Sequence, residues 1–317
     1  MKIAYSERFL YHYMGQGHPE SAKRLDVVMD ALKKNSKLKV EIVEPARLEE
    51  KDLLLAHEKK FIQSLKLLSA REAMFVDNPF HRDTFEIAKL AAGGAVRAAR
   101  ECFGGEASKF SQRSCECFGS GKFSFALVRP PGHHAGRNFF GGFCYLNNIA
   151  IAIRKIQQEK KIKRALIVDF DVHHGNGTQN IFREDEDVFY FSLHQHPATI
   201  FPGTGFASEN SAHIRNVPLE PGTTDREYLR VFKENFEEIA RAFKPQIIGV
   251  SAGFDTYVED IACGNQLLIS KKETHHGIGK IIRRGARRAR CPVFAVLEGG
   301  YHLPTLGKNV MSFLSAF

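Results

Sequence analysis

The sequence predicts an α/β protein in which one mostly parallel β-sheet carries helices on both faces. Two observations predict it. Short runs of apolar, β-branched and aromatic residues recur along the chain, and amphipathic stretches with helical spacing separate them. Alternation of this kind builds βαβ units, whose crossovers put helices on each face of a parallel sheet.

In chain order, residues 1–90 are mixed, with helices expected at 20–35 and 57–70. Residues 104–122, GGEASKFSQRSCECFGSGK, lack periodic apolar positions and read as an exposed loop. Strands are expected at SFALVRP (124–130), ALIVDFD (165–171), VFYFSLH (188–194), QIIGVSAGFD (246–255) and VFAVLEGG (293–300), each apolar enough to be buried on both faces. The helices between them are YLNNIAIAIRKIQQEK (145–160), DREYLRVFKENFEEIARAF (225–243) and KETHHGIGKIIRRGARRAR (272–290). No linker or fixed-period repeat interrupts the pattern, so residues 1–317 are expected to form one domain.

Composition bounds the function. With 43% hydrophobic and 26% charged residues, disordered and fibrous classes are excluded. The net charge of +9 raises a nucleic-acid partner, but residues 271–290 alone hold eight basic residues against one acid. That segment is expected to be a solvated helix face, and nucleic-acid binding is the weaker reading. No run approaches the ~18–20 apolar residues of a membrane span. The N-terminal stretch does not read as a secretory signal, and the six cysteines show no CxxC pair. Free thiols and a cytoplasmic location are the expectation.

Ligands of open parallel sheets sit at the carboxyl ends of the strands, and polar clusters stand at four of these ends. They are Gly132-His133-His134, Asp169-Phe170-Asp171-Val172-His173, Ser251-Ala252-Gly253-Phe254-Asp255 and Glu298-Gly299-Gly300-Tyr301. Asp171 and His173 are two apart and project to one side of an extended segment, with Asp255 arriving from another strand. Two oxygens and one nitrogen suit a catalytic divalent metal, zinc first, with iron or manganese as alternatives. Each residue alone could equally cap a helix; the combination argues for the metal. Metal-assisted hydrolysis also requires a base and a proton donor, services that His133 and His134 can supply. Asp169 and Asn176 could fix their tautomers. Tyr301, behind two glycines, offers a phenol to a developing oxyanion. His57, His81, His194, His196, His213, His275, His276 and His302 lack ligand spacing and are expected at surface or supporting positions.

Taken together, LVRPPGHHA (127–135), GGFCYLNNIAIA (141–152), VDFDVHHGNGTQ (168–179), FPGTG (201–205), SAGFD (251–255) and LEGGY (297–301) resemble the arginase-like superfamily of zinc-dependent histone deacetylases and acetylpolyamine amidohydrolases. The resemblance implies the arginase/deacetylase fold, zinc held by Asp171, His173 and Asp255, and Tyr301 as the oxyanion-stabilising tyrosine. It implies an acyl-lysine tunnel lined by Phe143 and Phe201 with Gly142 and Gly300 beside it. Arg24 would lie at the foot of the pocket, and Asp77 at the rim, holding substrate backbone. A potassium ion would lie near Asp169, Asp171, His173, Ser192 and Leu193. The implied substrate is an acylated lysine of a protein or an acetylated polyamine. Asn176 is the class II and bacterial choice where class I enzymes carry aspartate. A neutral amide raises its histidine partner's pKa less than a carboxylate would, leaving His134 available as a neutral base. A two-metal ureohydrolase is disfavoured, because position 175 is glycine where those enzymes carry a further aspartate.

Overall fold

The computed structural model describes residues 1–104 and 122–317. Apart from its two end residues, the loop expected at 104–122, with Cys115 and Cys117, lies outside the described residues.

The strands are β1 (Lys2–Ala4), β2 (Glu41–Val43), β3 (Phe123–Ala126), β4 (Ala165–Asp169), β5 (Val188–Gln195), β6 (Ile214–Leu219), β7 (Ile247–Ala252) and β8 (Val293–Leu297). They form one sheet in the order β2-β1-β3-β8-β7-β4-β5-β6, and every pairing is parallel. Every residue of β3, β4, β5, β7 and β8 is buried. Both faces of the sheet are therefore covered, which explains their unbroken apolar character. Four of the five expected strands end earlier than their apolar runs, β3 at Ala126 and β7 at Ala252 among them, and the chain beyond turns irregular to form the site; β5 instead runs one residue further, to Gln195.

The helices are α1 (Lys23–Lys34), α2 (Glu50–Leu53), α3 (Lys59–Ala70), α4 (Thr84–Glu101), α5 (Asn148–Lys160), α6 (Asn176–Phe182), α7 (Asp225–Phe243), α8 (Glu273–Ala289) and α9 (Leu303–Leu314). α4 packs on α5, while α1, α9, α8 and α7 pack in succession. The helix expected from residue 145 starts at Asn148, because the Asn147 side chain accepts the Ala150 N–H at 3.0 Å and caps it. α4 has no clear helical signature in the sequence, because Gly93 and Gly94 interrupt its pattern. Gly93 is there because a Cβ would lie 2.2 Å from the Ala46 carbonyl oxygen. No described helix is long and apolar enough to cross a membrane.

α8 carries the basic segment and runs directly into β8. Its C-terminal arginines therefore lie at the N-terminal side of the sheet, opposite the rim where the polar clusters gather. Arg283 donates to the Ala316 carbonyl at 2.8 Å, and Arg288 lies 3.7 Å from Glu237.

Candidate active site

The four central strands, β3, β8, β7 and β4, end side by side, and the segments leaving them converge. The ligand atoms of Asp171, His173 and Asp255 all lie within 4.8 Å of one another. Each is aimed by a hydrogen bond from elsewhere. His173 Nε2 lies 3.0 Å from the Cys263 carbonyl oxygen, so it carries the proton and turns Nδ1 to the cluster. That Nδ1 is 2.9 Å from Asp171 Oδ1 and 3.3 Å from Asp255 Oδ2. Asp171 Oδ2 accepts the Gly299 N–H at 2.8 Å, and Asp255 Oδ1 accepts the Val172 N–H at 3.0 Å. Asp255 Oδ2 is buried and has no hydrogen-bond partner.

The electrostatics match that orphaned oxygen. Burial lifts the Asp255 carboxyl above the usual carboxylate range, with repulsion from Asp171 adding to it. Burial works against charge on His173, yet the nearby Asp171 and Asp255 carboxylates raise it well above the imidazole range. Two buried carboxylates compete for positive charge, and a divalent cation on the same three donors would supply it. One nitrogen and two carboxylates within ligand reach, with oriented outer partners, fit a catalytic zinc ion. A second group with ligand spacing, His133, Cys144 and Glu298, brings one carboxylate instead of two, and that carboxylate supports backbone amides. Glu298 Oε2 accepts the Gly132 and His133 amides at 2.7 and 3.1 Å, and Cys144 Sγ donates to the Gly142 carbonyl at 3.3 Å.

The tandem histidines stand 4.0 Å apart by ring centroid, and their surroundings drive them in opposite directions. His133 Nδ1 bonds Asp169 Oδ2 at 3.1 Å, an oxygen that also accepts the Tyr190 hydroxyl at 3.0 Å. Burial opposes charge on His133, but Asp171 and Asp169 outweigh it and push the imidazole up to about 10. His134 Nδ1 bonds the Asn176 side-chain oxygen at 2.8 Å. Burial, then repulsion from His133 and His173, holds His134 well below the ordinary imidazole value. One ring is cationic and its neighbour neutral near pH 7, the division of labour that acid–base chemistry needs.

Tyr301 packs between Phe143 and Arg24. Gly300 at φ +118° turns the chain, and burial keeps the phenol protonated well above its ordinary range. Its ring meets Phe143 edge-on at 5.7 Å, with the Arg24 guanidinium 4.8 Å from its centroid. Arg24 is fully buried beneath it and donates to the Gly300 carbonyl at 2.6 Å and to that of Glu298 at 2.5 Å. Phe201 stands 5.0 Å from His134, and Gly142 leaves no room for a Cβ, which would sit 2.3 Å from the His134 ring. Asp77 is exposed on the rim and lines the cavity floored by His134. Ser192 and Leu193 lie on β5 beside β4, where Asp169 and Ser192 are register partners. The Ser192 hydroxyl, however, is bonded to His194 Nδ1 at 2.7 Å.

Several supporting residues escape sequence reasoning. Asp260 Oδ2 accepts the Tyr301 and His302 amides, fixing the tyrosine's backbone. Asn78 bonds the Phe143 N–H and the Cys144 carbonyl at 3.2 and 3.1 Å. Glu20 is buried between Arg24 and Arg129. Of the histidines without ligand spacing, His57, His194 and His275 are buried rather than superficial. His57 bridges the Gly136 carbonyl and the Asn147 amide.

Comparison with known proteins bears on this arrangement. The histone deacetylase domain matches residues 18–317. A probable deacetylase of Archaeoglobus fulgidus is 34% identical, over 99% of this chain and 86% of the archaeal one. A probable deacetylase of Methanothermobacter thermautotrophicus is 35% identical, over 94% and 85% of the two chains. Among solved structures, the HDA15 HD domain superposes with a TM-score of 0.86 at 29% identity, over 99% of this chain and 90% of that one. The acetylpolyamine aminohydrolase of Burkholderia pseudomallei gives 0.83 at 25% identity, over 100% and 98%. Sequence and fold agree along nearly the whole chain, and the protein belongs to the histone deacetylase family.

Proposed function

We propose that the chain is a zinc-dependent amidohydrolase that removes an acetyl or other short acyl group from a lysine side chain or an N-acetylated polyamine. The observation that carries this reading is the buried Asp255 Oδ2, without a hydrogen bond and 3.3 Å from His173 Nδ1, in one cluster with Asp171 beside a neutral His134. Asp171, His173 and Asp255 would hold the zinc ion, which when bound would supply Lewis acidity toward the amide carbonyl and water.

The chain's own residues do the rest. His134, neutral and held through Nδ1 by Asn176, presents Nε2 to take a proton from water and later returns it to the departing amine. His133, cationic through Asp171 and Asp169, sets a positive charge beside His134 that keeps the latter neutral. The protonated Tyr301 phenol donates a hydrogen bond to that oxygen as charge develops. Phe143 and Phe201 line the approach and favour a thin alkyl chain, while Asp77 accepts from the backbone of the carrier.

The two-metal ureohydrolase reading finds no footing here. A side chain at position 175 would need space that Asp169 Oδ2 occupies, 2.4 Å from a Cβ built on Gly175. The test is a kinetic panel of acetyl-lysine peptides, longer acyl-lysines and N-acetylated diamines with wild type, Asp171→Ala and Tyr301→Phe. Hydrolysis by wild type and its loss in both variants is expected; wild-type rates in either variant overturn the assignment.

A further inference from the structure

Beside the catalytic cluster lies a cavity of about 380 Å³, within the ~300–1,000 Å³ typical of ligand pockets. Its wall is Phe75, Val76, Phe140 and Phe201, and its floor is His134 and Asn176. Phe75 is 45% exposed, Val76 94% and the adjacent Met74 76%. An exposed apolar patch next to a reaction site marks a contact with a ligand.

The wall is built, not incidental. Phe75 packs edge-on against Phe140 at 5.3 Å and Phe80 at 5.9 Å. Phe80 is fully buried and anchors on Tyr145 at 4.9 Å. Asn78 ties the same strip to the loop bearing Gly142 and Phe143. A preformed apolar surface binds without an ordering cost.

We propose that this cavity is a subsite for an apolar side chain next to the acylated lysine of a peptide or protein substrate, a reading that rests on the deacylase function above. Two features favour this occupant. The cavity is bordered by the exposed Val76 and Asp77, so a carrier chain lying across the rim reaches it. Among the described residues Asp77 is the one carboxylate lining the cavity, and no lysine or arginine lines it. It offers one acceptor for a main-chain N–H beside an otherwise apolar wall. The several ammonium groups of a polyamine would find a single counter-charge there.

The test uses acetyl-lysine peptides identical except for leucine, glycine or aspartate at the neighbouring position, on each side in turn. Burying a leucine side chain predicts kcat/KM roughly tenfold higher than for the glycine peptide, carried by KM. Val76→Glu, at a solvent-exposed position, and Phe75→Ser should bring that ratio close to one. Equal kcat/KM for all peptides with wild type, or a preference that survives both variants, overturns the subsite. In that outcome hydrolysis of acetyl-lysine still supports the deacylase function; no hydrolysis of any peptide overturns the subsite, and the deacylase function falls with it only if N-acetylated diamines are not hydrolysed either.

Discussion

Substituting Gly299 by alanine adds one methyl group and removes no ligand, yet it tests the metal cluster directly. A Cβ at position 299 would lie 2.0 Å from Asp255 Oδ2 and 2.6 Å from Asp171 Oδ2, where side-chain contacts keep at least 3.0 Å. Gly299 itself does not use a positive φ, unlike Gly300, so alanine is strained by contact and not by backbone. Neither carboxylate can retreat freely, since Asp255 Oδ1 is bonded to Val172 and Asp171 Oδ1 to His173. One ligand oxygen must therefore shift by about 1 Å, against the ~0.2 Å latitude of a metal–ligand distance. A displacement of that size at the reacting centre costs on the order of 100-fold in rate. The assay pairs kcat/KM on an acetyl-lysine peptide with zinc content by mass spectrometry and a thermal melt to establish folding. A folded Gly299→Ala protein with wild-type zinc content and wild-type rate would refute the reasoning.

Three further outcomes follow from the same geometry. Asn176→Asp puts a carboxylate 2.8 Å from His134 Nδ1. The negative charge favours the imidazolium, so the acid limb of the kcat/KM–pH profile should move to higher pH; an unmoved limb contradicts His134 as the base. Glu20 is buried between Arg129 and Arg24, whose charges overcome burial and hold it down to about 2 from an ordinary 4.5. Its folded pKa is depressed, so its stabilisation is full above pH 4.5 and is lost as pH falls toward 2. Glu20→Gln should cost about 3–5 kcal/mol at pH 7 and flatten that acid dependence, read by urea unfolding across pH. Glu298→Ala would orphan the Gly132 and His133 amides, at about 1–3 kcal/mol each. It should lower kcat while zinc content stays at the wild-type level; unchanged kcat would remove Glu298 from the support of the histidines.

The elements legible in the sequence are those whose surroundings are uniform. β3, β4, β5, β7 and β8 are buried at every position and so read as continuous apolar runs. β1 and β2 are three residues long, and β2 exposes Glu41 and Ile42, too little to register as a pattern. β6, IRNVPL, sits at the sheet edge and tolerates Arg215, Asn216 and Pro218. α9, LPTLGKNVMSFL, went unread, as did α4 with its paired glycines.

The site divides the same way. Asp171, His173, Asp255 and Tyr301 were legible because chemistry-bearing residues cluster at strand ends that a parallel sheet must bring together. Glu298, Asp260 and Asn78 were not, because their partners lie far along the chain. Glu298 holds an amide 166 positions away and Asn78 a carbonyl 66 positions away. Such pairings have no local spacing to betray them. The basic segment illustrates the converse: its charge was plain in composition, but only the topology put it at the other end of the sheet from the reacting groups.

The central claim, that the Asp171, His173 and Asp255 cluster holds one catalytic zinc ion, is tested most directly by stripping and restoring the metal. The protein should lose acetyl-lysine hydrolysis under chelation and regain it as zinc is titrated back, with full activity at one ion per chain. Full activity in metal-free protein, or a requirement for two ions per chain, would contradict the account.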